Sequence, residues 1–244
     1  MGSGCSKSII LTRSREDIEK DRPVFERLEF KVISLPLIKT EPLEFQLPAE
    51  EPDYVVFQSV KAVIYFLDKV TLSPAVRIVA VGEKTKKVLE KRGYRVWMMP
   101  DDSTAEGIVK AFPSGKGGTV LVPRSEQGRK EVIEGLRRLG YHVIPLNVYR
   151  TAFEKHRPEI VESKLAKGRF IFFASPSAVR SLFANLQENR ARERLKSLIV
   201  VAIGKTTKRE LEEMGVSVSL VPSKPLIEEV ALEILKYWQR NCLQ

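Results

Sequence analysis

The chain has 244 residues and 27.7 kDa, with 41 Lys+Arg against 31 Asp+Glu and a formal net charge of +10. A composition that is 43% hydrophobic and 30% charged excludes global disorder, and no apolar run approaches the roughly 20 residues of a membrane span. No secretory apolar segment follows the start, and two cysteines, Cys5 and Cys242, cannot build a disulfide scaffold or an all-cysteine metal site. The basic excess calls for an acidic partner, which is a nucleic acid, a membrane surface or a small polyanion.

In chain order, Met1-Gly2-Ser3-Gly4-Cys5-Ser6 matches an N-myristoylation pattern but reads more simply as a tail of small residues, so no membrane partner is expected. Ile9-Ile10-Leu11 is a strand, followed by a helix to about Leu28 and a strand at Phe30-Lys31-Val32-Ile33. Pro36 to Pro52 is Pro- and Glu-rich without helical period and reads as a crossover. Tyr54-Val55-Val56-Phe57 is a strand ending at Gln58-Ser59, and the next helix carries Val60, Val63, Ile64 and Leu67 on one face. Arg77 to Gly82 is a strand, then comes a helix stopped by Gly93, then a strand at Arg95-Val96-Trp97-Met98. Such alternation predicts parallel sheets in an α/β protein.

The pattern then repeats. Leu11-Thr12-Arg13 superimposes on Val122-Pro123-Arg124 at an offset of 111, as do Phe30 to Ile33 on Tyr141 to Ile144, and Thr40 on Thr151. Phe57 to Val63 superimposes on Phe173 to Val179 at an offset of 116, and Val79 to Thr85 on Val201 to Thr207 at 122. Three collinear matches mean an internal duplication and two similar α/β domains. The order of units leaves their pairing open, because the first unit can pack with its neighbours or with the last ones. A second crossover at residues 149–158 favours the interleaved arrangement, since a tandem pair needs only one.

Most Lys and Arg alternate with Glu on helical stretches such as Glu83 to Arg92, the signature of a solvated face. The basic cluster Arg190 to Lys196 lacks interleaved aromatics, and no nucleic-acid-binding motif accompanies it, so no nucleic-acid partner is expected. Ser-His-Asp, H-E-x-x-H and C-x-x-C arrangements are missing as well. Gly115-Lys116-Gly117-Gly118-Thr119 precedes a strand and reads as a turn, and Asp101-Asp102 reads as the cap of the next helix. Any chemistry must then rest on positioning a substrate that is already reactive.

In open α/β sheets, ligands sit beyond the carboxyl ends of strands. Small hydroxyl residues stand there in both halves: Thr12, Ser59, Thr85, Ser175, Ser177, Thr206 and Thr207. Each can be a helix cap worth about 1 kcal/mol, or part of a receptor for a carboxylate or phosphate, because helix starts offer free N–H groups and a positive dipole end. Recurrence at equivalent strand ends favours the receptor. Arg13 and Arg124, matched by the repeat, join the candidate substrate-binding set. Tyr149, a polar aromatic at the second crossover, is either an amphipathic ring packed at a hinge or the candidate catalytic residue, since its phenol can donate a proton or hydrogen bond.

The ordered motifs resemble the uroporphyrinogen-III synthase family. The resemblance runs from Ile9 to about Leu235 and rests on Leu11-Thr12-Arg13, Val56-Phe57-Gln58-Ser59, Ala80-Val81-Gly82-Glu83-Lys84-Thr85, Val122-Pro123-Arg124, Val148-Tyr149-Arg150-Thr151, Phe173-Ala174-Ser175-Pro176-Ser177 and Ala202-Ile203-Gly204-Lys205-Thr206-Thr207. Gln58 and Ala174 replace the Thr that usually precedes the Ser, which removes a side-chain hydroxyl at each position.

The resemblance implies two parallel-sheet, three-layer α/β domains in interleaved order, joined by a two-stranded linker. Residues 1–37 with 152–244 would form the first domain and 41–148 the second, with crossovers at 38–40 and 149–151. It also implies a cofactor-free, metal-free cytoplasmic monomer. The implied reaction closes a linear tetrapyrrole, hydroxymethylbilane, to uroporphyrinogen III with loss of water and inversion of ring D. Backbone N–H groups near Ser59, Ser175, Ser177 and Thr206 would hold the carboxylates, with Thr85 and Thr207 at matched positions and Tyr149 assisting loss of the hydroxyl. A non-catalytic module binding a small polyanion is the alternative.

Overall fold

A computed structural model describes residues 6–115, 117–128 and 130–242, so the stretch Met1 to Cys5 of the acylation pattern and Lys116 of the glycine-rich turn lie outside the described residues. The chain begins with β1 (Ser8–Leu11), α1 (Arg15–Glu26), β2 (Lys31–Ser34) and β3 (Ile38–Pro42). It continues through β4 (Tyr54–Phe57), α2 (Val60–Leu67), β5 (Arg77–Ala80), α3 (Glu83–Lys91), β6 (Val96–Met98), α4 (Ala105–Ala111), β7 (Thr119–Ser125), α5 (Glu131–Arg138) and the long β8 (His142–Phe153). It ends with α6 (Pro158–Leu165), β9 (Phe170–Phe173), α7 (Pro176–Asn185), α8 (Glu188–Lys196), β10 (Ile199–Ala202), α9 (Lys205–Glu213) and α10 (Ile227–Cys242). Contacts divide these into two compact units, Met1–Lys39 with Ala152–Gln244, and Thr40–Thr151.

The first unit holds a four-stranded sheet in the order β10-β9-β1-β2, every neighbour parallel. The second sheet runs β6-β5-β4-β7-β8-β3 and is parallel from β6 to β8. β3 is antiparallel to β8, as Leu43 N–H donates to Val148 O (3.0 Å) while Glu154 N–H donates to Leu37 O (2.8 Å). The duplicated segments occupy matching sheet positions: β10 with β5, β9 with β4, β1 with β7 and β2 with β8. Leu220, bridged in parallel to Val201, stands where β6 flanks β5. One sheet plan is thus entered at two different points of the chain, and β1 opens the chain yet lies inside its sheet.

Burial explains the near-continuous apolar strands. β1, β4 and β9 have no exposed position, as expected for parallel strands covered on both faces. In the first unit Ile10, Ile171 and Val200 pack with Val161, Leu182, Leu195 and Leu211 of α6 to α9. Ile9, Leu11, Phe170 and Phe172 face Ile18 and Phe25 of α1 and Val230 and Ile234 of α10. In the second unit Val55, Phe57 and Ile78 pack with Val63, Phe66 and Leu89 of α2 and α3, and Val56, Val79 and Val120 with Ile108, Ile133 and Leu136 of α4 and α5. Each sheet is the middle of three layers, and each of these side chains contributes about 1.5–3 kcal/mol on burial.

Helix ends follow the repeat with one exception. After α3, α5 and α9 the chain turns through Gly93, Gly140 and Gly215 at φ of 83°, 89° and 76°, and after α1 through Glu29 at φ 61°. In all four turns the following N–H returns to a carbonyl five residues back, as in Phe30 to Phe25 (3.1 Å). A side chain in this left-handed region costs about 1 kcal/mol, and the exposed Lys7–Glu29 ion pair (3.2 Å) offsets little of it. Glu29→Gly is expected to raise stability by about 1 kcal/mol, read as a Tm a few degrees higher in thermal unfolding. The acidic pair after Pro100 is not itself a cap: Thr104 caps α4 through Gly107 N–H (3.1 Å), and Asp102 accepts from the Thr104 hydroxyl (2.9 Å).

Candidate active site

In the second unit, β4 ends at Ser59, whose extended backbone lets its Oγ accept from Ala62 N–H (3.1 Å) and start α2. The same Oγ lies 3.4 Å from the phenol oxygen of Tyr149, carried out to this end of the sheet by the 12-residue β8. The Tyr149 ring stacks on Tyr65 of α2, with centroids 5.3 Å apart and an interplanar angle of 22°. Tyr65 in turn donates to Thr40 O (3.1 Å), and its phenol oxygen lies 2.8 Å from Thr40 Oγ1. Ser59, Tyr65 and Tyr149 are all half-buried. Sequence reasoning misses Tyr65, because it lies off the apolar stripe of α2 and nothing in the helical period says which ring it meets.

Thr85 and Arg124 are both buried. Thr85 is buried in the first turn of α3, its N–H on Gly82 O (2.9 Å), and that turn already carries Glu83 against the helix dipole. The Arg124 guanidinium is buried and folds back on its own loop, donating to Ser125 O (3.1 Å) and to Gly128 O.

In the first unit, Thr12 is fully buried and donates its hydroxyl to Phe172 O (2.7 Å), stitching β1 to β9. Arg13 pairs with Asp21 (2.6 Å) and Asp17 (3.6 Å) of α1. Burial pushes the Asp21 carboxyl above its ordinary range, outweighing the pull of Arg13. Ser175 caps α7, its Oγ accepting from Ala178 N–H (3.3 Å). Pro176 has no N–H, so Ser177 offers the first backbone donor of that helix. Gly204 starts α9 with no side-chain cap, leaving Lys205 and Thr206 exposed at its first turn while Thr207 is buried.

The candidates therefore divide by exposure. Ser59 and Tyr149 come together in one unit, Ser175, Ser177 and Thr206 stand at accessible helix starts in the other, Thr12, Arg13 and Arg124 are bonded within the fold, and Thr85 and Thr207 are buried. The first-turn charges divide in a related way. Helices α1, α3, α4, α5, α6, α8 and α10 each carry a carboxylate in the first turn. Helices α2, α7 and α9, which follow β4, β9 and β10, carry none, although a carboxylate there stabilises a helix by about 0.3–1 kcal/mol. Among the described residues no three of His, Cys, Asp and Glu gather as a metal site, and no helix is long and apolar enough to cross a membrane.

Fold and site together define a duplicated two-unit α/β protein with polar groups at the carboxyl ends of its parallel strands. The sequence profile of the family described as "Uroporphyrinogen-III synthase HemD" matches residues 20–231, and the chain belongs to the uroporphyrinogen-III synthase family. A Methanothermobacter thermautotrophicus protein, provisionally named uroporphyrinogen-III synthase, is 31% identical over 198 residues, spanning 75% of this chain and 77% of that protein. The uroporphyrinogen-III synthase of Chlorobaculum parvum is 25% identical over 235 residues, 88% of this chain and 93% of its own length. The fold is also that of the Helicobacter pylori uroporphyrinogen-III synthetase structure, with a TM-score of 0.65 at 18% identity over 94% of this chain and 99% of that one.

Proposed function

We propose that this protein converts hydroxymethylbilane to uroporphyrinogen III, the ring-closing step of tetrapyrrole synthesis in its family. A pyrrole nitrogen of the substrate expels the terminal hydroxyl, which leaves with one proton as water and generates a conjugated azafulvene. Attack from the substituted carbon of ring D, instead of its free position, leads through a spiro intermediate to the inverted ring and the III isomer. The substrate supplies most of the electronic drive, and the protein chooses the attacking carbon by holding the chain.

The observation that carries this reading is the missing first-turn carboxylate at α2, α7 and α9. A linear tetrapyrrole with an acetate and a propionate on every ring supplies carboxylates that complement those helix starts. Ser59, Ser175, Ser177 and Thr206 are the proposed carboxylate-binding positions, and Tyr149 is the proposed donor to the departing hydroxyl. We further propose a cytoplasmic monomer without a nucleic-acid partner. Its basic cluster is engaged locally, Arg190 and Arg194 on Glu162 (3.1 and 3.7 Å) and Arg192 on Glu188 (2.6 Å).

Incubating the protein with hydroxymethylbilane and separating the isomers tests the function. Formation of the III isomer faster than spontaneous closure is expected, and the I isomer alone at the spontaneous rate would refute it. Tyr65 has its own expected outcome. Tyr65→Leu removes the stack on Tyr149 and the hold on Thr40, and should lower kcat about 2–12-fold, the range of one aromatic pair. Tyr65→Phe, which keeps the stack, should fall by less in the same assay.

A further inference from the structure

We infer that Ser181, Asn185 and His156 form a clamp tying both crossover segments to helix α7, which makes Asn185 a positioning residue for the reaction. The inference rests on the reading of the α7 start as a carboxylate-binding position.

The outgoing segment is held at two carbonyls. Leu37 O accepts from the Ser181 hydroxyl (2.5 Å) and from Glu154 N–H (2.8 Å), and Pro36 O accepts from His156 Nε2–H (2.5 Å). The returning segment is held by one amide. Asn185 Nδ2 donates to Glu154 O (2.9 Å) and to Ser181 O (2.8 Å), while its Oδ1 accepts from His156 N–H (2.6 Å). Ser181 and Asn185 are four residues apart and share one face of α7, and Ser181 is fully buried. Both the carbonyl and the amide of half-buried Asn185 are thus used, and a network satisfied in this way around buried Ser181 favours one geometry.

Helix α7 has 10 residues, Pro176–Asn185, a rod of about 15 Å. Its first turn carries Ser177 beside the Ser175 cap, and its last two turns carry the clamp. An anion captured at the first turn therefore bears on the same helix that holds residues 36–37 and 154–156. Loosening the clamp should leave the anion position intact and cost the ordering that the reaction needs.

Asn185→Asp keeps the acceptor for His156 N–H but sets an oxygen against the carbonyls of Glu154 and Ser181. With hydroxymethylbilane it is expected to lower kcat about three- to tenfold with KM changed less than about twofold. Hydrogen exchange at the amides of Glu154 and His156 is expected to quicken by about tenfold or more. Ser181→Ala, which leaves Leu37 O its bond from Glu154 N–H, should change the same quantities in the same direction by less, and serves if the first variant does not fold. Ser197→Ala, which loses the bond to Arg194 O, should leave kcat and both amides as in the wild type. Unchanged kcat and exchange in Asn185→Asp and Ser181→Ala would overturn the clamp, as would an equal loss of rate in Ser197→Ala. Wild-type protein yielding only the I isomer would instead refute the proposed function, with the exchange rates still judging the clamp.

Discussion

Tyr149→Phe is expected to lower kcat with hydroxymethylbilane by about 100-fold or more, with KM within about twofold of the wild type. The variant keeps the ring that stacks on Tyr65 at 5.3 Å, so packing and α2 stay as they are. What it loses is the one O–H held 3.4 Å from Ser59 Oγ, the group proposed to give a proton or hydrogen bond to the leaving hydroxyl. An interaction made mainly as the C–O bond breaks shows in turnover and not in binding. Steady-state kinetics with both proteins checks the split, and an unchanged rate would remove Tyr149 from the chemistry.

The second large effect separates capping from ligand binding at one atom. Ser175→Asp preserves the cap, because a carboxylate accepts from Ala178 N–H as well as a hydroxyl does, and it complements the dipole of α7. Thermal stability should therefore be unchanged or slightly raised. The new charge would stand where a substrate carboxylate is proposed to bind, and KM should rise about 10–100-fold, roughly 1.4–2.8 kcal/mol. Ser175→Ala should behave in reverse, costing about 1 kcal/mol of stability with a smaller change in KM. If Ser175→Asp loses neither affinity nor rate, Ser175 is a cap and nothing more.

The architecture was readable because the duplicated strands are short apolar runs buried on both faces, and their repeat carries over to sheet positions. Phe57 and Phe173 end β4 and β9, and Val79 and Val201 lie in β5 and β10. The candidate site was readable only in outline. Strand ends and cap residues announce where a ligand can meet backbone N–H groups, and Ser59 and Ser175 stand there as caps. The use of each long side chain was not readable, because it depends on partners far along the chain or on a loop's turn. Arg13 reaches forward to Asp21 across two turns of α1, and Arg124 is drawn into the loop that closes at Gly128. Thr12 is spent on a strand 160 residues away. Separation along the chain also hides Tyr65 and the Asn185 clamp, whose residues look unremarkable by period or composition.

The most direct test is amide mapping by NMR with uroporphyrinogen III added anaerobically to labelled protein. Anion recognition by strand-end helix starts predicts the largest shifts at Ser59 to Ala62, Ser177 to Ala178 and Lys205 to Thr207. The largest shifts at the opposite ends of the sheets, around Arg77, Thr119 and Ile199, with those helix starts unmoved, would contradict it.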